Sequence, residues 1–129
     1  MTTIIRRYTN QDEQALFAMM EQEGSDWSDY FGNKGRQQYI AALKASITLV
    51  MFEQNELCAY ARIHEDGGFG VYVYDLLVGK NYRGKGYGKA LMSHVKTMFP
   101  EQSAYVMSDV DEYYCKLGYD RIGSIFEIG

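Results

Sequence analysis

The residues with the greatest chemical potential lie in one short run, Arg83-Gly84-Lys85-Gly86-Tyr87-Gly88-Lys89. Glycines at alternating positions let a backbone approach an anion closely, with successive N–H groups free to point at it. Arg83, Lys85 and Lys89 bring three cationic side chains within seven residues. The run follows an apolar stretch, Val71-Tyr72-Val73-Tyr74-Asp75-Leu76-Leu77-Val78, and precedes Ala90-Leu91-Met92, where a well-patterned helix continues. The start of a helix adds unpaired N–H groups and the positive end of its dipole. Such a loop suits a ligand the size of a diphosphate.

Two other phosphate loops fit poorly. Gly79-Lys80-Asn81-Tyr82-Arg83-Gly84-Lys85-Gly86 comes within one residue of a Walker A loop, but Gly86 stands where that loop needs the Ser or Thr hydroxyl that holds magnesium. The dinucleotide fingerprint G-x-G-x-x-G fails because Lys89, not glycine, lies three after Gly86. About forty residues follow the loop, too few for a second mononucleotide-binding half.

The elements that must position this loop are legible from pattern. Thr3 to Tyr8 reads as a first strand, and Asn10 with Glu13 reads as a capping box opening a helix whose apolar face is Leu16, Phe17 and Met20. Gly24 to Gly35 reads as loop, and a second helix runs from about Arg36 to Ala45 with Tyr39, Ile40 and Leu43 inward. Ile47–Phe52 and Leu57–Ile63 read as two strands joined by a hairpin-length connection. After the turn signal Asp66-Gly67-Gly68, Phe69 to Val78 reads as a central strand buried on both faces. Tyr87, Ala90, Leu91, His94, Val95 and Met98 recur at helical spacing, and Pro100 stops that helix. Ser103–Met107 reads as a further strand, and Asp109 with Glu112 as another capping box, on a short helix that Gly118 ends. Tyr119 to Ile128 reads as a last strand or pair of strands. The expected architecture is a mixed α/β sheet, with a parallel strand–helix–strand unit from Phe69 to Met107.

Bulk properties narrow the class. The chain of 129 residues fits one domain, residues 1–129, and its 47% hydrophobic and 23% charged composition is that of a globular protein. The N-terminal Met1-Thr2-Thr3-Ile4-Ile5-Arg6-Arg7 lacks the order of a signal peptide, and no apolar run is long enough to span a bilayer. Cys58 and Cys115 have neither a partner motif nor metal spacing, which fits a reducing, cytoplasmic setting and no metal. The net charge of −4 argues against a general nucleic-acid binder, so the basic loop stands out on an acidic background.

R-x-x-G-x-G, realised as Arg83-Gly84-Lys85-Gly86-Tyr87-Gly88, resembles motif A of the GNAT superfamily of acyl-CoA-dependent N-acyltransferases. Tyr113-Tyr114-Cys115-Lys116-Leu117-Gly118-Tyr119 is similar to the family's motif B, F-Y-x-K-x-G-F. The order of elements follows the family across essentially the whole chain, with a mostly antiparallel sheet around the parallel unit. The resemblance implies acetyl-CoA as co-substrate, with its diphosphate on Arg83, Gly84, Lys85, Gly86, Tyr87, Gly88 and Lys89. It implies a pantetheine arm paired like an extra strand with Leu76, Leu77 and Val78. A backbone N–H near Val78 would then polarise the thioester.

Tyr114 matches the family tyrosine that hydrogen-bonds or protonates the departing sulfur. For the base, Asp75 is the only acid of the central strand, and an apolar sheet setting would favour its neutral form and help it take a proton. Several family members carry their acid about three residues upstream, where this chain has Tyr72, so Asp75 orienting substrate, or water relayed to Asp109 or Asp26, stays open. Gly24 to Phe31 corresponds to the region that shapes the family's acceptor site, and Asp26, Trp27, Tyr30 and Tyr72 could hold a cationic amine. The implied activity is N-acetyl transfer to a small-molecule or protein amine, with a non-catalytic CoA-binding module as the alternative. A homodimer stays open, because relatives pair through edge strands or the C-terminal strand.

Overall fold

The computed structural model describes residues 2–129; Met1, part of the N-terminal stretch read above, lies outside them. Strands β1 (Thr3–Arg7), β2 (Ile47–Glu53), β3 (Glu56–Glu65), β4 (Val71–Val78) and β5 (Ala104–Val106) form one sheet in sequence order. The first three pairings are antiparallel and β4–β5 is parallel. The β2–β3 hairpin turns through Gln54 and Asn55 at φ 49° and 71°, the left-handed pair that a two-residue connection needs to match strand twist.

Side chains alternate along β3 and so divide the core between two faces. Ala59, Ala61 and Ile63 pack with Leu91, Met92 and Val95 of α4 (Tyr87–Met98). The opposite face carries Tyr60, which packs with Leu16, Phe17 and Met20 of α1 (Glu13–Glu23) and Tyr39 and Leu43 of α3 (Asn33–Ala45). Each of these helices presents an apolar stripe to a sheet that needs covering on both sides. The expected mixed α/β class is thus the observed one.

Several local expectations are corrected. The first capping box is set one residue earlier: Thr9 is the cap, and its N–H donates to the Asp12 carboxylate at 2.8 Å. Gly24–Gly35 is largely helical, with a 3₁₀ turn at Ser25–Trp27, the short α2 (Ser28–Phe31) and the early start of α3. Trp27, Tyr30 and Phe31 gain apolar cover by packing on the α1–α3 core, which overrides the loop-like glycines. Strand β4 starts at Val71, with Phe69 and Tyr74 exposed, so it is not buried on both faces throughout. At α5 (Asp111–Lys116), Ser108 rather than Asp109 supplies the N-terminal contacts, accepting from the Val110 N–H and donating to Asp111. Gly118 ends that helix as expected, at φ 86°, with the Tyr119 N–H reaching back to the Tyr114 carbonyl.

The largest correction is at the C-terminal end. Tyr119 to Ile128 forms no strand, and Ile122, Ile125, Phe126 and Ile128 stand exposed. Strand-forming residues make a strand only where a free edge comes within hydrogen-bonding reach. Here β5 offers three residues, and a cavity of about 760 Å³ lies between it, α5 and residues 119–125.

Candidate active site

Strands β4 and β5 stay together only from Val71 to Val73, and the Met107 N–H donates to the Val73 carbonyl at 2.9 Å where they part. From Tyr74 to Val78, β4 keeps β3 on one side, while its other edge has no strand beside it among the described residues. Leu76, Leu77 and Val78 therefore lie along an open strand edge.

That edge leads into the glycine loop. Gly84 and Gly86 sit at φ 79° and 80°, a left-handed conformation that disfavours side chains, and a Cβ on either would meet no heavy atom within 4 Å. Gly86 is the N-cap of α4 and no side chain caps that end. Exposed backbone at a helix start with open space in front of it can hold an anion. A diphosphate fits this cradle.

The loop cations are arranged differently from a simple ring around an anion. Arg83 pairs with Glu23 of α1 and donates from Nε to the Val78 carbonyl at 3.2 Å. Lys85 pairs with Glu53 of β2 at 3.1 Å, and the Tyr87 hydroxyl donates to the same carboxylate. Lys85 and Tyr87 hold the Glu53 carboxyl below the usual carboxylate range, with the Tyr87 hydrogen bond the larger effect. Two cations thus clip the loop to the sheet and to α1. Lys89 is exposed on the first turn of α4.

A β-bulge re-aims the one acid of β4. The register runs Arg62↔Asp75 and then Ile63↔Val73, so Tyr74 is the extra residue. Val73 faces α4, whereas Asp75, two residues on, faces α3. Its Oδ2 accepts from Tyr39 Oη at 2.6 Å and from Arg62 Nε at 2.6 Å. Tyr39 Oη is in turn 2.7 Å from Tyr60 Oη, in the buried core. Asp75 is 7% exposed, but its carboxylate is satisfied by a cation and a phenol rather than set in an apolar wall.

Tyr30 stacks on Tyr39 at 4.4 Å, and its phenol is pushed up by burial and then by the Asp75 charge. Trp27 packs edge-on to Tyr60 at 6.1 Å. Two of the residues expected to hold the acceptor, Trp27 and Tyr30, therefore join Asp75 in one cluster. Asp26 is exposed at the start of that segment. Tyr72 stands apart on Tyr105 of β5, with rings 5.3 Å between centroids.

On α5, Tyr114 is 9% exposed, lines the cavity beside β5, and stacks on Tyr119 at 6.2 Å. Burial pushes its hydroxyl up to about 12, so it remains a neutral proton donor across the physiological range. Sequence pattern assigned no role to Arg62 or Tyr60 and marked Tyr39 only as inward on its helix. Arg62 was findable, as the one cation inside an apolar strand that pairs with a strand holding one acid; nothing local gives either tyrosine its partner.

Among the described residues no group of His, Cys, Asp and Glu could hold a metal, and no helix is long and apolar enough to cross a membrane. The model of the acetyltransferase (GNAT) family matches residues 10–119. A histone acetyltransferase, TAP1, from Glycine max is 33% identical over 73 residues, which is 53% of this chain and 32% of that protein. The probable acetyltransferase TAP2 of the same plant matches equally over 29% of its length, so the chain spans about a third of these curated relatives. Among solved structures, an aminoglycoside acetyltransferase from an uncultured soil metagenomic sample superposes with a TM-score of 0.74 at 22% identity, over 100% of this chain and 99% of that one. A GNAT family protein of Streptococcus pneumoniae gives a TM-score of 0.72 at 19% identity over 98% of both chains. The likeness of those two structures is one of fold. With the family model covering most of the sequence, this chain belongs to the GNAT acetyltransferase family.

Proposed function

We propose that the protein is an N-acetyltransferase that moves an acetyl group from acetyl-CoA to a primary amine by direct attack in a ternary complex. The observation that carries this reading is the parting of β4 and β5 after Val73, which leaves an open strand edge running into an uncapped helix start. Backbone N–H groups of Arg83 to Gly88 hold the diphosphate, and the edge from Leu76 to Val78 pairs with the pantetheine arm. Acetyl-CoA supplies the activated acyl group as a thioester. A backbone N–H near Val78 polarises its carbonyl.

Tyr114 hydrogen-bonds or protonates the leaving sulfur, a task suited to a phenol that stays neutral. Asp75 takes the orienting role that the sequence left open. Arg62 and Tyr39 both hold its Oδ2, and the acceptor amine meets this fixed group beside the neighbouring Tyr30 and Trp27. The acceptor is a small molecule or a protein amino group.

A thiol-release assay with acetyl-CoA and a panel of amines tests this. Turnover on at least one amine, lost in Tyr114→Phe while CoA still binds, is the expected result. Binding of CoA without turnover on any amine would make the protein a CoA-binding module instead.

A further inference from the structure

Tyr113 precedes Tyr114 on α5, yet the two phenols face different surroundings. Tyr114 is buried against Tyr119 beside the β5 cavity, whereas Tyr113 is 40% exposed and meets its neighbour only edge-on. The Tyr113 hydroxyl lies directly over the backbone of Gly88: a Cβ on Gly88 would overlap that oxygen and come within 3.4 Å of Tyr113 Cζ and 3.6 Å of Val78 Cγ2. Three elements meet at this point, namely the end of β4, the first turn of α4, and α5. Gly88 thus serves a different need from Gly84 and Gly86, whose missing side chains face open space.

The geometry points to Tyr113 as a contact for the acyl carrier, donating a hydrogen bond to an amide carbonyl of the pantetheine arm where the arm passes from α4 to the edge of β4. This rests on the use of acetyl-CoA proposed above. The diphosphate has the loop amides, but the arm carries two amide carbonyls that leave water on binding and need donors. Val78 Cγ2 lies 3.6 Å from the same point over Gly88, which sets the contact near the end of β4. Burial raises the Tyr113 hydroxyl, which keeps it a donor.

The test is calorimetric titration of the wild type, Tyr113→Phe and Tyr114→Phe with CoA and, separately, with ADP, which lacks the arm. Tyr113→Phe keeps the ring and its packing, so thermal melting should match the wild type. The expected result is CoA binding weakened about fivefold to tenfold in Tyr113→Phe, with ADP binding unchanged. Tyr114→Phe should bind CoA within about twofold of the wild type. Wild-type affinity for CoA in Tyr113→Phe overturns the inference, as does an equal loss for ADP, or an equal loss of CoA affinity in Tyr114→Phe. Failure of the wild type itself to bind CoA would instead remove the transferase reading, and this contact with it.

Discussion

Arg62 and Asp75 stand opposite each other in the β3–β4 register, and Arg62 Nε donates to Asp75 Oδ2 at 2.6 Å. The pair exists because a bulge at Tyr74 brings Asp75 onto the face where Arg62 and Tyr39 can reach it. Its partners hold the carboxyl group in place at the edge of the aromatic cluster around Tyr30 and Trp27.

Arg62→Met should destabilise the fold by about 3 kcal/mol at neutral pH, because it strands a buried carboxylate without its cation. Urea unfolding measures this. A loss under about 1 kcal/mol would mean that Tyr39 and solvent suffice to hold Asp75.

Asp75→Asn tests the orienting role. We expect a rise in KM for the amine and a lower kcat/KM, with the alkaline-side rise of the pH–rate profile kept. A flattened rise would make Asp75 the proton acceptor, the other role open from sequence.

Gly86→Val should abolish CoA binding at a cost of about 1–2 kcal/mol in stability, since a β-branched side chain is forced to a left-handed φ but meets no neighbour. Gly88 lies in ordinary helical backbone, and a side chain there meets the far end of the exposed Tyr113 phenol, which can swing aside. Gly88→Val should therefore melt no lower than Gly86→Val, and a lower melting temperature would mean that Tyr113 is held rigidly on α4.

Alkaline stability should report the buried phenol of Tyr114. Its hydroxyl is raised from 10.0 to about 12 on folding, chiefly by burial. Above the unfolded value the unfolded chain binds fewer protons than the folded one, so stability is whole below pH 10 and declines as pH rises toward 12. Tyr114→Phe should make that decline shallower in denaturant unfolding measured at stepped pH. An unchanged slope would place the decline on other raised phenols, among them Tyr39 and Tyr60, pushed up chiefly by burial, and Tyr82 and Tyr87, raised to about 12 by hydrogen bonds to Glu56 and Glu53.

Local patterns carried the family and most of the architecture. The glycine loop, the motif around Tyr114, the periodicity of Tyr87–Met98 and the two hairpin strands are all written in neighbouring residues, because turn geometry and helical or strand period act over a few positions. Relations between distant residues were decided only by the tertiary structure. Arg83 and Lys85 found Glu23 and Glu53 rather than standing free, since acids far along the chain pack beside the loop. Residues 119–128 carry strand-forming Ile and Phe but have only a three-residue edge nearby. Asp75 acquired a cation and a phenol because a single extra residue in β4 changed which face it looks out from, and Tyr113 came to rest on Gly88 because α5 folds back over the start of α4. Sequence period sets which elements form; register and packing, which depend on the whole chain at once, set what each side chain meets.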